Sequence, residues 1–157
     1  MPQPQWQQLT FEGIRWRKAK QPQRAIECIT QSIEITRQSP DLARETATSL
    51  NYLSDVYLQE GLLALAEDTI RQAIQTRLSL APEERSLVAN DLSILGEVLS
   101  KQGRHREALE AGSQGLELFQ QDYGTGDSFV RQIEEMVEQL RQNLIREETI
   151  QPSQSLS

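Results

Sequence analysis

The side chains best suited to chemistry are few and scattered along this sequence. His105 is the single histidine and Cys28 the single cysteine, so the set of imidazoles and thiolates that holds zinc is missing, and a histidine-based triad has no second element to anchor it. His105 sits in the run Gly103-Arg104-His105-Arg106-Glu107-Ala108 at an expected helix start, where a structural or solvent-facing role is the simpler reading. Cys28 falls between Ile26 and Ile29 in a helical pattern. It reads as a small core residue rather than a reactive thiol, and no second cysteine exists for an intrachain disulfide. Glu83 with Glu84, and Glu134 and Glu135 with Glu138, resemble acid/base or divalent-metal pairs when read locally. On amphipathic helices they are more simply favourable charges near an N-terminus and members of a wet face. Gly124-Thr125-Gly126 is too short for a phosphate-binding loop and no strand precedes it, and neither a dinucleotide fingerprint nor a serine elbow occurs. The expectation is a protein that is not an enzyme and uses no cofactor and no metal.

The elements around these residues follow from size and pattern. A chain of 157 residues suits one domain with an extended core. Aromatics are only 5% of it, but Leu, Ile and Ala recur through its middle, which favours packed helices over disorder. The net charge of -7 argues against nucleic acid as the main partner, since phosphate binding needs concentrated cations. The one basic group, Arg15, Arg17, Lys18, Lys20 and Arg24, reads as a solvated helix end and turn. No apolar run has the length of a signal peptide's core or of a membrane span, so a cytoplasmic location without direct membrane insertion is the default expectation.

An internal repeat organises the chain. Laying Pro40 over Pro82 aligns two segments at a period of about 42 residues. In the first, Leu50, Leu53, Ser54 and Tyr57 are followed by Gly61 and then by Ala66, Ile70 and Ala73. In the second, Leu92, Leu95, Gly96 and Leu99 are followed by Gly103 and then by Ala108, Gly112 and Gly115. Three- and four-residue spacing places each set on one helix face, and the intervening glycine can close the first helix in a left-handed conformation. Each unit is therefore a helix, a short turn and an antiparallel helix, and stacking covers the face that one pair alone would leave wet. A less regular earlier unit runs through Leu9, Glu12, Gly13 and Trp16, then Lys20, then Ala25, Ile29 and Ser32. After the turn-rich stretch 122–128, the residues Phe129, Val130, Ile133, Met136, Val137, Leu140 and Leu144 make an amphipathic helix that caps the third pair.

The predicted helices cover residues 5–19, 22–37, 41–59, 62–78, 82–101, 104–120 and 127–147, with Ser39 or Asp41 as an N-cap and Pro82 at a helix start. Residues 5–147 form one expected domain, and 148–157 a flexible tail.

This pattern resembles the tetratricopeptide repeat family, in its longer variety of about 42 residues found in kinesin light chains. The resemblance rests on Leu50, Leu53, Ser54, Tyr57, Gly61, Ala66, Ile70 and Ala73, and on Leu92, Leu95, Gly96, Leu99, Gly103, Ala108 and Gly115. Glu12 and Ser54 near the close-packing positions, and Gly112 in place of a larger apolar residue, depart from the commonest pattern. The resemblance implies an all-α fold of antiparallel helix-pair repeats in a right-handed superhelix with a C-terminal capping helix. It also implies a concave surface, made by the first helix of each pair, that binds a peptide or a partner protein. Carried onto this sequence, that surface comprises Gln7, Thr10, Ile14 and Arg17, then Thr48, Asn51, Asp55 and Leu58, then Asn90, Ser93, Glu97 and Ser100. Asn51 is the most specific candidate, because its amide can pair with both backbone donors and acceptors. Asp55 and Glu97 disfavour capture of a peptide carboxylate and favour a partner with basic or polar residues. Self-association is the competing reading. It would give a homodimer through Trp6, Phe11 and Trp16, or through Phe119, Tyr123 and Phe129, if these aromatics stay exposed.

Overall fold

The computed structural model describes residues 2–80 and 84–150. These are all-helical, with no strand among them. The helices are α1 (Gln5–Lys18), α2 (Pro22–Thr36), α3 (Ala43–Gln59), α4 (Leu63–Leu78), α5 (Arg85–Lys101), α6 (His105–Tyr123) and α7 (Ser128–Ile150). They follow the sequence reading as stacked helix pairs with a terminal helix. The expected helix start at Pro82 and most of the expected tail lie outside the described residues. Contacts divide the chain into two compact units, Met1–Asp91 and Leu92–Ser157, with the boundary inside α5.

In the first unit the buried residues recur at the expected spacing: Ala25, Ile29, Ser32 and Ile33 on α2, Leu50, Leu53 and Ser54 on α3, and Ala66, Ile70 and Ala73 on α4. Ile29 and Ile70 are fully buried, each contributing about 1.5–3 kcal/mol relative to an exposed side chain. Ser32 lies beneath α1, where its hydroxyl meets that of Thr10 at 2.8 Å and donates to the Trp6 carbonyl at 2.9 Å. Thr10 also approaches Ser49 on α3 at 3.3 Å. Thr10 is therefore buried in a hydroxyl cluster, which corrects its expected place on the open face.

Three close approaches repeat along the chain. A Cβ on Gly13 would lie 3.3 Å from the Ala25 carbonyl oxygen, and one on Gly96 would lie 3.2 Å from that of Ala108. At the middle position the Ser54 hydroxyl donates to the Ala66 carbonyl at 2.9 Å. The departure at Ser54 thus fits the same tight crossing by making a hydrogen bond across it.

The interhelix turns repeat as well. The amides of Gln21, Leu62 and Arg104 each bond at 2.9 Å to the carbonyls of Trp16, Tyr57 and Leu99, respectively. In each case the residue before the amide has positive φ: Lys20 at 57°, Gly61 at 72° and Gly103 at 79°. This is the Schellman closure, in which a left-handed residue lets the chain reverse and satisfies the last carbonyls. Lysine carries a Cβ penalty in that conformation that glycine does not. Lys20→Gly is accordingly expected to raise the unfolding free energy by about 1 kcal/mol. Urea denaturation checks it, and a neutral or destabilising result counts against the strain.

Other boundaries differ for local reasons. Neither Ser39 nor Asp41 caps α3 through its side chain; a 3₁₀ turn, Pro40–Leu42, leads into the helix instead. The helix α6 runs on to Tyr123 and stops at Gly124, whose φ is 77°. Asp127 caps α7, its Oδ1 accepting from the amides of Phe129 at 2.8 Å and Val130 at 3.4 Å. The buried stripe of α7, Val130, Ile133, Val137 and Leu140, descends on α6 at Gly112. A Cβ there would meet Leu140 Cδ1 at 3.0 Å and Val137 Cγ2 at 3.4 Å. Gly112, the other departure from the common repeat pattern, is the shelf that admits α7.

Candidate functional site

The residues carried over to a binding face meet different fates within their own units. In the first unit Arg17, Thr48, Asn51, Asp55 and Asn90 are half-exposed. Leu58, by contrast, is 6% exposed and belongs to the core. In the second unit Glu97 is exposed while Ser93 is buried at 8% exposure. Leu58 and Ser93 thus depart from their expected place on the open concave surface. The three- and four-residue spacing that chose them points equally well to the flank of the buried stripe.

The polar residues of the first unit are coupled. Arg17 on α1 pairs with Asp55 on α3, which also accepts from Gln59 Nε2 at 2.9 Å. The Arg17 guanidinium lies 5.9 Å from the centroid of the Tyr52 ring, a cation–π contact. A second group is centred on Arg77 of α4, which is only 3% exposed. Its Nε donates to Asp91 Oδ2 at 2.8 Å, one terminal nitrogen lies 3.2 Å from Glu84 Oε2, and the other lies 3.4 Å from Thr48 Oγ1. Glu84, itself buried, also pairs through Oε1 with Arg44 Nε at 2.7 Å. The other Asp91 oxygen, Oδ1, accepts from Asn51 Nδ2 at 2.6 Å. Burial pushes the Asp91 carboxyl above the usual carboxylate range, while the Arg77 charge and the hydrogen bonds from Asn51 and Arg77 oppose that rise.

The two carboxylates of the expected face have cations near them. Asp55 has Arg17 beside it, and in the second unit Glu97 has Lys101 at 3.9 Å. Each of the carboxylates that suggested a basic partner thus has a cation beside it in its own unit, the Glu97–Lys101 pair being an exposed one. Arg77 and Asp91 were missed by the sequence reading, although a signal existed, and Glu84, read there as a favourable charge near a helix N-terminus, is buried in an ion pair instead. Arg77 continues the Ala66, Ile70, Ala73 stripe at four-residue spacing, and Asp91 sits between Val88 and Leu92 on the buried side of α5. Opposite charges placed on apolar stripes of successive helices are a pattern that burial makes costly unless they meet.

The groups with possible catalytic chemistry are dispersed. Among the described residues no three of His, Cys, Asp or Glu come together as a metal site. Cys28 is half-buried rather than core, with Sγ 4.0 Å from Glu12 Oε2. Burial and then the charges of Glu12 and Glu27 raise its thiol pKa, the reverse of nucleophile activation. Of Glu134, Glu135 and Glu138 on α7, Glu134 accepts from Gln120 Nε2 at 2.9 Å. Glu138 lies exposed beside Gln142 and Arg141, and the Gln142 hydrogen bond leads in lowering its pKa. Of the basic group near the N-terminus, Arg24 stacks 4.5 Å from the Trp16 ring centroid. Among the aromatics, Phe11 is 48% and Tyr123 54% exposed, whereas Phe119 is buried and meets Phe129 edge-on at 5.0 Å. No helix among the described residues is long and apolar enough to cross a membrane.

Comparison with known proteins agrees with the repeat geometry. Residues 46–121 match the tetratricopeptide repeat family. No curated protein matches the chain. Among solved structures, the Sgt2 tetratricopeptide domain from Aspergillus fumigatus superposes with a TM-score of 0.70 at 20% identity, over 99% of this chain and 88% of that one. A putative kinesin light chain with nearly identical repeats, from Podospora anserina, gives a TM-score of 0.67 at 17% identity, over 100% of this chain and 80% of that one. The N-terminal domain of stress-induced protein-1 from C. elegans gives 0.63 at 20% identity, over 83% and 93%. At such identities these likenesses speak to the fold.

Proposed function

We propose that this chain, which carries a tetratricopeptide-type repeat domain over residues 46–121, is a non-catalytic protein-interaction scaffold. It holds an extended peptide against the first-helix face of its first unit. The observation that carries this reading is the state of Asn51. It is half-exposed on α3, its Nδ2 is engaged by Asp91, and its Oδ1 takes no hydrogen bond among the described residues. A polar atom held in place and left open is what an extended backbone needs in order to dock without its own secondary structure. Thr48 and Asn90 offer further polar contact on that face, and the Arg17–Asp55 pair, with Tyr52 beneath the guanidinium, forms another part of it. Leu58 and Ser93 have no part in this reading because they are buried, and Glu97 belongs to the second unit.

The test is selection of binders from a random linear peptide library, followed by amide chemical-shift mapping on the full chain. Shifts concentrated on Arg17, Thr48, Asn51, Asp55 and Asn90 support the proposal. Asn51→Ala is then expected to weaken the selected peptide about 3- to 10-fold with the fold retained, the size of one lost hydrogen bond. Peptides that map only to α6 and α7, or an unchanged affinity in Asn51→Ala, would overturn it.

A further inference from the structure

The open atom of Asn51 is its Oδ1, and two buried residues stand behind that arrangement. A primary amide is planar, with a donor end and an acceptor end that its surroundings must tell apart. Here the donor end faces Asp91, whose Oδ1 lies 2.6 Å from Nδ2. An ionised carboxylate accepts only, so this contact fits one orientation of the amide and not its flip. Asp91 is in turn fully buried and fixed by Arg77, whose Nε reaches its second oxygen at 2.8 Å. Arg77 is itself held by Glu84 at 3.2 Å and by the Thr48 hydroxyl at 3.4 Å. Every link in this chain from α4 through α5 to α3 has a single donor direction.

We propose that Arg77 and Asp91 are positioning residues that make Asn51 an obligate hydrogen-bond acceptor, so that the face selects a backbone N–H of an extended peptide and turns away a carbonyl at that point. This rests on the peptide-binding reading above and adds to it the polarity of the contact. The charged side chains linked to Asn51 through Asp91 reinforce it. Arg44, Arg77, Glu84 and Asp91 are engaged with one another, so a peptide meets a neutral acceptor rather than a free charge. An isosteric change makes the logic visible. In Asp91→Asn, the new amide must turn its oxygen toward Arg77 Nε, because a guanidinium accepts nothing. Its NH2 then faces Asn51, which flips to receive it and presents its own N–H to the open face.

The experiment uses a library-selected peptide that maps to this face, with each backbone amide replaced in turn by an ester, which deletes one N–H. On the wild-type chain one ester position is expected to weaken binding about 3- to 10-fold. That penalty disappears in Asn51→Ala and in Asp91→Asn, and it survives in Arg77→Lys, which keeps a cation against Asp91. A general loss of structure would lower the affinity of every ester alike and would not erase one position's penalty. An ester penalty uncoupled from Asn51, or one unchanged in Asp91→Asn, overturns the inference while leaving peptide binding intact. If Asp91→Asn does not fold, exchange of the Asn51 side-chain NH2 in the wild-type chain decides the positioning step: protection supports it, and free exchange sinks it. Peptides that map elsewhere defeat both this inference and the reading beneath it.

Discussion

Replacing Arg77 by Met, which keeps most of the side-chain volume, lowers the unfolding free energy by about 3–5 kcal/mol, the usual loss when one partner of a buried ion group is removed. Arg77 is 3% exposed, and its loss leaves Asp91, which is fully buried, without a cation and Glu84 with only the largely exposed Arg44. The lost interaction is a smaller part of the effect than the two carboxylates left behind in a poorly solvating site. The pH dependence distinguishes the two. Burial already holds the Asp91 carboxyl above the usual carboxylate range, with Arg77 the first of the influences pulling it down. A carboxyl with a raised folded pKa binds its proton more tightly in the folded chain. Its contribution therefore favours folding below the unfolded pKa and fades as pH rises through the folded one. Without Arg77 that window extends to higher pH. The variant should thus recover part of its deficit relative to wild type as pH is lowered from about 7 toward about 5, since protonation removes the unpaired charge. Paired urea titrations across that range measure it. A deficit below about 1 kcal/mol at neutral pH, or one that does not change with pH, would mean the cluster is solvated in a way its burial contradicts.

The second large effect is at Gly96 in the other unit. A Cβ there would sit 3.2 Å from the Ala108 carbonyl oxygen, 3.4 Å from the Gly112 amide nitrogen and 3.6 Å from its Cα. All three are backbone atoms of α6, so no rotamer change can make room. Gly96→Val forces α5 and α6 apart in the second unit and is expected to cost about 3 kcal/mol, the upper end of ordinary overpacking. Gly96→Ser is the informative companion. The equivalent residue, Ser54, turns the same close approach into a hydrogen bond to Ala66, so serine at 96 should cost under about 1 kcal/mol. Equal losses for the two substitutions would count against a shared crossing geometry.

What the sequence disclosed, and what it hid, follows from how each feature is encoded. The helices were legible because burial repeats with helical period: Leu50, Leu53 and Ser54 recur as Leu92, Leu95 and Gly96. The turns were legible at Gly61 and Gly103, because glycine marks a left-handed residue. At Lys20 the same conformation carries no such mark. Helix ends drifted by a few residues, as at Tyr123, where α6 runs past the predicted stop to the left-handed Gly124. The candidate face was only partly legible. Periodicity separates a helix's inner side from its outer side, but it does not separate a half-open flank from a buried one, so Leu58 and Ser93 were grouped with Asn51. Nor does it show pairing: that Asn51 meets Asp91, 40 positions away, depends on stacked helices and is invisible to any local window.

The Arg17–Asp55 pair and the Arg77 cluster also settle where this molecule keeps its charge. Three arginines stand against three carboxylates in these two groups, so together they add nothing to the net charge of -7. The excess belongs to the rest of the surface, including the outward side of α7 with Glu135 and Glu138. Long-range repulsion between copies of the chain, and the drift of small ions around it, are therefore set by charges outside these two groups. Added salt screens that exposed excess far more than it screens the buried Arg77 cluster.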